Sequence, residues 1–311
     1  MKAKPGQEAI VARPGLSRGQ WWALFVPYLW LLIFFLAPFV IVVKISLSQS
    51  ALSQPPYIPI FDLSKGVGDL IEKAKLFSLD SYRGLFEDSL YVESYLSSLR
   101  LAFVATLLTL AVAYPLAYAM ARAPARIKPV LVMIAIAPFW TSFLIRVYAW
   151  IMILKDEGLL NQALMTLGII REPLAIFATD KAVVIGIVYS YLPFMVLPLF
   201  NAIDKQDPSL IEAAADLGAR PAQAFWHVTF PLSLPGILAG SLLVFIPAIG
   251  EFVIPDLLGG SDTLMIGRTM WDEFFENRDW PTASAAAIVL LALLVVPLWL
   301  YERAQISTAE K

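Results

Sequence analysis

The chain has 311 residues, of which 59% are apolar and only 15% charged, and its formal net charge is −2. Soluble domains carry roughly 45–50% apolar and about 25% charged residues, so this balance excludes a water-soluble globular protein and indicates an integral membrane one. A single histidine (His227) and no cysteine exclude disulfide and thiol chemistry and leave almost nothing to hold a zinc ion.

Residues 1–20 read as a polar tail containing Lys2, Lys4, Arg13 and Arg18. The uncharged run at 22–43 is longer than the 7–15 residues, roughly, of a signal-peptide core, which predicts a retained first span. Residues 47–95 form the largest insert. Its beginning, "SQPPYIPIF", is too rich in proline for a helix, and its end, "DSYRGLFEDSLYVESYLSSLR", reads as an amphipathic approach to a second span at 101–121. Further apolar segments follow at 129–154, where Arg146 is the only charge, and at 182–203, 232–250 and 282–301. Each meets the roughly 20 residues that a helix needs to cross a bilayer core of about 30 Å. Six transmembrane helices in one membrane domain, 21–302, are therefore predicted, with a short tail at 303–311.

Basic residues flanking short loops set orientation. Lys2, Lys4, Arg13 and Arg18 lie before the first span, and Arg122, Arg126 and Lys128 lie between the second and third. With six spans both groups fall on one side, which places the two termini and the stretch 204–231 in the cytoplasm. The opposite segments, 47–95, 155–181 and 251–281, hold 18 acids against 9 Lys/Arg. That field favours cations at the outer mouth, although the orientation rule acts on Lys/Arg and leaves acids free to accumulate there.

Motifs for chemistry are missing. The chain has no phosphate-binding Gly-Lys-Ser/Thr loop, no Gly-x-Ser-x-Gly elbow and no His-Glu-x-x-His pair. An enzyme is not expected, nor a metal, a cofactor or a nucleic-acid partner.

The stretch "DPSLIEAAADLGARPAQAFWHVTFP" (207–231) is longer than a connection between spans requires. Asp207 and Ser209 are suitable N-caps, Pro208 fits a first turn, and Ser209 with Glu212 has capping-box spacing. A helix of about ten residues, roughly 15 Å long, is predicted to end at Gly218. Leu210, Ala213, Ala214 and Leu217 share one face, and Glu212 and Asp216 share another. Such a helix suits either a protein partner that approaches closely or a lipid surface; acids facing anionic lipid speak against the second.

"EAAADLG", nine residues and "VTFP" resemble the EAA-loop signature of ABC importer permeases. Glu212, Ala213, Ala214, Gly218 and Pro231 match it, with Val228 and Phe230 as conservative departures. "WTSFLIRVYAW" (140–150), "YLPFMVLP" (191–198), "FIPAIGEFVIPDLLGG" (245–260) and "NRDWPTASA" (277–285) are similar to the permeases of putrescine/spermidine importers, most of all the putrescine one. The resemblance implies the binding-protein-dependent permease fold in a bacterial inner membrane, with 204–231 as the loop that docks on an ATPase. It further implies a second homologous permease, two ATPase subunits that hold ATP and Mg, an extracytoplasmic polyamine-binding protein, and alternating access. The rival readings are an ABC permease for another small solute and a membrane scaffold that recruits a soluble partner without moving solute.

Along the path of such a dication, Glu251, at the outer end of the 232–250 span and nearer the outer surface than the midplane, is the foremost candidate, because a charge at membrane depth is a functional hypothesis by default. Its alternative is a structural ion pair with Arg146. Trp140, Tyr148, Tyr189 and Tyr191 offer ring faces for cation–π contact, or serve as interfacial anchors. Asp256 is a further acid at the outer mouth.

Overall fold

The structure, a computed structural model, describes residues 18–61, 72–73 and 75–309. The basic residues Lys2, Lys4 and Arg13, part of the 47–95 insert and the last two residues lie outside them.

Helix α1 (Arg18–Leu31) runs through a π-helical turn (Leu32–Leu36) into α2 (Ala37–Ser46). Pro38 has no N–H to give to the ladder at that turn. Strands β1 (Gln49–Ser50) and β2 (Tyr57–Ile58) pair antiparallel, Gln49 opposite Ile58. Lys44 lies over the Tyr57 ring at 4.1 Å, and Tyr57 meets Trp280, so the insert is held on both ends of the fold. Helix α3 (Asp80–Glu87) leads to the 34-residue α4 (Ser89–Arg122), which starts where Asp88 Oδ1 accepts the Leu90 N–H at 2.9 Å. The amphipathic approach to the second span is thus one helix with it.

Then follow α5 (Lys128–Ile136), a 3-10 turn (Ala137–Trp140), α6 (Phe143–Leu154), α7 (Leu159–Thr166) and α8 (Asp180–Asp204). The connector holds α9 (Ser209–Asp216) and α10 (Pro221–Ala224), and passes through a π-helical turn (Phe225–Thr229) into α11 (Phe230–Ile249). Helices α12 (Val253–Leu258), α13 (Ile266–Phe275) and α14 (Trp280–Ala309) complete the chain.

Among the described residues, four helices are long and apolar enough to cross a membrane: Trp21–Ser46, Ser89–Arg122, Asp180–Asp204 and Pro221–Ile249. The segment expected at 129–154 is not one rod. Lys128–Trp140 and Phe143–Thr166 meet at 86°, because Thr141 (ψ 149°) and Ser142 (ψ 137°) are both extended. Counted as one broken span, the pair makes five, and the described apolar part of α14 is the shorter Trp280–Val296.

The core is built on α8, which packs against α4 on one side and α11 on the other. Without a hydrophobic force between helices in lipid, close approach comes from small residues. Ala102, Ala105, Ala113 and Ala117 of α4 are fully buried. Gly236 and Gly240 of α11 lie directly on Pro198, Ala202 and Met195 of α8. Helix α14 lies along α2, α3 and α13.

Polar residues on the first turns of α4 tie this frame together. Ser98 accepts the Ile266 N–H at 2.8 Å, Ser94 and Thr269 share a hydrogen bond of 3.1 Å, Tyr95 donates to the Ala286 carbonyl at 2.7 Å, and Tyr91 donates to Glu273 at 2.9 Å.

Candidate functional site

Two regions carry the residues singled out by the sequence. The first is the connector. Lys128 Nζ donates to Asp204 Oδ1 at 2.5 Å, so the basic loop after α4 and the start of the connector share one end of the bundle. Asp207 Oδ1 accepts the Ser209 N–H at 2.9 Å and opens α9. These hydrogen bonds hold its carboxyl below the ordinary value of 3.8. The N-cap falls on Pro208, whose ring cannot cap, with Ser209 already the first helical residue, so the capping box expected of Ser209 and Glu212 gives way to Asp207, which accepts the Ser209 N–H.

The other end of α9 is a paired C-terminal lock. Gly218 N–H donates to Ala215 O at 2.9 Å and Ala219 N–H to Ala214 O at 3.0 Å, with Gly218 at φ +82°. This is the Schellman arrangement, whose left-handed residue is glycine for lack of a Cβ clash. The chain restarts where Arg220 N–H donates to Gln223 Oε1 at 2.8 Å. Phe225 in the π turn sits edge-on to Tyr114 and Tyr118 of α4, and Trp226 packs on Phe230. Gln206 Nε2 donates to the Thr229 carbonyl at 3.0 Å, pinning the turn to the end of α8.

Helix α9 is therefore anchored at its ends, and none of its residues is buried. Glu212, Ala213, Gly218 and Pro231 are exposed, Ala214 is half-buried, and Leu217 is 90% exposed. His227, also exposed, has its Nδ1 2.9 Å from the Gln223 carbonyl.

The second region is the break after α11. That helix ends at Ile249, but the chain does not leave the bundle at 250 as the span boundary implies. It continues along α8: Ile254 and Leu258 cover Gly186, and Gly260 lies on the Ala178 carbonyl. The fifth apolar helix is thus followed by a break inside the protein and a short helix. Non-helical backbone at such depth is tolerated where protein covers it.

Glu251 occupies the break and is 9% exposed. Its Oε1 accepts the Val253 N–H at 3.1 Å and the Ile254 N–H at 3.4 Å, which caps α12. Its Oε2 accepts a short hydrogen bond from the hydroxyl of Tyr191, a residue near the middle of α8. Among the described residues the carboxylate is held by neutral donors and by no cation.

Arg146 does not supply one. Among the described residues no carboxylate lies within 4 Å of it, and its Nε and Nη1 are enclosed without a hydrogen-bond acceptor. Its guanidinium faces the rings of Phe139 at 5.6 Å and Phe143 at 5.7 Å. The structural ion pair considered between Arg146 and Glu251 is absent from this conformation: the guanidinium lies against Phe139 and Phe143, while the carboxylate is taken by Tyr191 and the α12 amides.

The remaining candidates scatter. Asp256 is paired with Arg268 at 3.6 Å, on the exposed side of α12. Tyr189 meets the edge of Trp150, while Trp140, in the 3-10 turn, and Tyr148, on α6, are 74% and 54% exposed. Only Tyr191 joins Glu251. Phe139 and Phe194, whose rings meet at 5.1 Å, were not singled out by sequence. In an apolar run a phenylalanine carries no polar mark, so only packing distinguishes it.

A family model described as the binding-protein-dependent transport system inner membrane component matches residues 113–304, which include the connector, the broken pair and Glu251. The chain belongs to that family. The permease is 45% identical over 229 residues to the spermidine/putrescine transport system permease protein PotB of Escherichia coli (strain K12), covering 74% of this chain and 83% of that one. It is 42% identical over 227 residues to the protein of the same name from Haemophilus influenzae, covering 73% and 79%. Its fold matches a chain in the crystal structure of a bacterial alginate ABC transporter with its periplasmic protein, with a TM-score of 0.66 and 16% identity over 90% of this chain and 91% of that one. A chain of the inward-facing MetNI methionine ABC transporter matches with a TM-score of 0.53 and 17% identity over 69% and 94%. The permease is a membrane component of a transport system, not an enzyme.

Proposed function

We propose that this permease forms one half of the membrane pore of an ATP-driven importer of polyamines, putrescine among them, in a bacterial inner membrane. The observation that carries the reading is Glu251: a carboxylate enclosed in the bundle at a helix break and held by neutral donors. A primary ammonium crossing the membrane needs such a group in place of water, and transporters use helix breaks to present polar groups to substrate. The likeness to two spermidine/putrescine permeases supports the substrate class.

On this reading α9, with Glu212, Ala213 and Ala214 and its lock at Gly218, is the coupling helix on the cytoplasmic side, and Pro231 begins the following span. A separate ATPase pair supplies ATP and Mg chemistry, a second homologous permease completes the pore, and an extracytoplasmic binding protein delivers substrate to the acid-rich side. ATP-driven movement of α9 turns the pore from one side to the other by alternating access. Tyr191 is the direct neighbour of the ammonium site. Trp140, Tyr148 and Tyr189 offer ring faces along the path, and Asp256 stands at its mouth.

The test is uptake of labelled putrescine, with spermidine as competitor, in cells that lack other polyamine importers and carry the partner genes with or without this chain. Uptake that requires this chain and ATP, and whose KM rises in E251Q, is the expected result. Gln keeps one oxygen for the cap on α12 while removing the charge, and the Tyr191 hydroxyl then accepts from its amide instead of donating. An assembled complex that takes up neither amine would discard the substrate class, and wild-type KM in E251Q would discard Glu251 as its site.

A further inference from the structure

Among the described residues, half-buried Arg146 and buried Glu251 both lack an opposite charge within 4 Å, and they stand at the two ends of one row of rings. Arg146 lies against Phe139, Phe139 meets Phe194 at 5.1 Å, Phe194 meets Tyr191 at 5.9 Å, and Tyr191 holds Glu251. Helix α6, which carries Arg146, packs directly against α12, which Glu251 caps, and against α8, which carries Phe194 and Tyr191. Phe139 belongs to the 3-10 turn just before the 86° break at Thr141 and Ser142.

Burying Nε and Nη1 of a guanidinium without an acceptor is costly, and ring faces compensate its charge only in part. Glu251 is in a complementary position: both oxygens are occupied, but by a phenol and two amides that carry no net charge. The conformation described leaves both charges short of a counter-ion and links them through successive contacts of Phe139, Phe194 and Tyr191. A rotation at the break in the α5–α6 pair shifts Phe139 and Arg146 together, since both lie within five residues of it.

We propose that Arg146 is a tethered rival of the substrate ammonium. When the Phe139–Phe194 partition parts during the transport cycle, the guanidinium takes Glu251 from Tyr191 and from the substrate, and so expels the substrate from its site. Tyr191 holds the carboxylate in the resting conformation, the substrate holds it in the loaded one, and Arg146 holds it on release. This deepens the reading of Glu251 as the ammonium site and rests on it.

The chain contains no cysteine, so paired cysteines can be read without background from it. In the full importer, R146C/E251C should be joined by a short thiol cross-linker in one nucleotide state and not in the other, with Y191C/E251C as the control for the conformation described. In uptake assays R146M should lower Vmax about tenfold without raising KM, the pattern of a group acting in turnover and not in ground-state binding. R146K, which keeps the charge, should restore most of it.

Failure of R146C/E251C to cross-link in every nucleotide state, while Y191C/E251C does, would overturn the proposal. So would an unreduced Vmax in R146M, which decides the matter should neither pair cross-link. E251Q with wild-type KM would instead overturn the ammonium site itself, whatever Arg146 does, so the two failures are told apart.

Discussion

Gly236 of α11 lies on Ala202 of α8 so closely that a Cβ added to it would stand 2.5 Å from the Ala202 Cβ and 2.8 Å from the Pro198 carbonyl oxygen. Four residues on, Gly240 meets Met195 in the same way, its added Cβ falling 2.7 Å from the sulfur. The two glycines set the distance between the helices that bracket Glu251. Overpacking at a close contact costs roughly 1–3 kcal/mol. G236A should therefore lower the thermal stability of the purified complex and the KM for substrate should rise with it. G240A should do less, because a thioether moves aside more easily than a backbone carbonyl. Melting curves of the two variants side by side check the order.

Gly218 has the opposite problem. Nothing lies within 4 Å of an added Cβ, so a side chain there has room, but φ is +82°. For an L-residue that region costs roughly 1–2 kcal/mol, borne entirely by the turn that ends α9. G218V should leave a complex that assembles and hydrolyses ATP but takes up little substrate. G218N should keep most of its transport, since Asn tolerates left-handed backbone. ATPase and uptake rates measured on the same preparation decide it; a G218V importer with normal uptake would show that the lock is not needed for coupling.

Asp207 gives the connector a pH dependence of known sign. Hydrogen bonds from Ser209 lower its pKa below 3.8 in the folded chain. Its contribution to the start of α9 is complete above the unfolded value and disappears as pH falls through the lower, folded one. Amide exchange at Ser209 to Ile211 should accelerate over that acid window in the native chain, and D207N should flatten the response.

Asp272 of α13 behaves in reverse. Partial burial and then the neighbouring Glu276 raise its pKa above 3.8, while Arg268 opposes them. A carboxyl with a raised folded pKa favours the folded state below its unfolded value and loses that contribution as pH rises through the folded one. D272N should therefore slow amide exchange in 266–275 at neutral pH and have no effect in acid. A slower exchange confined to acid would show that Asp272 is paired in a way that its surroundings do not suggest.

Much of this protein was written in its composition and in a few local patterns. Uncharged runs of helical length marked the spans around 22–43, 101–121, 182–203 and 232–250, because lipid forbids unpaired backbone and so turns any long apolar run into a helix. Asp207, Pro208 and Gly218 marked the ends of α9, since caps and left-handed stops depend on neighbours in sequence. Glu251 stood out as a charge beside an apolar run.

Other features depended on contacts between distant segments. An apolar run looks the same whether the helix is straight or broken, so the turn at Thr141 and Ser142 was not legible in 129–154. Nor was the return of 253–260 along α8, which depends on Gly186 and Gly260 leaving room. The partners of Glu251 and Arg146 follow from the way α6, α8 and α12 meet. Sequence identifies a charge that must be answered; which group answers it is decided where helices far apart in the chain bring phenylalanines and a tyrosine between the two.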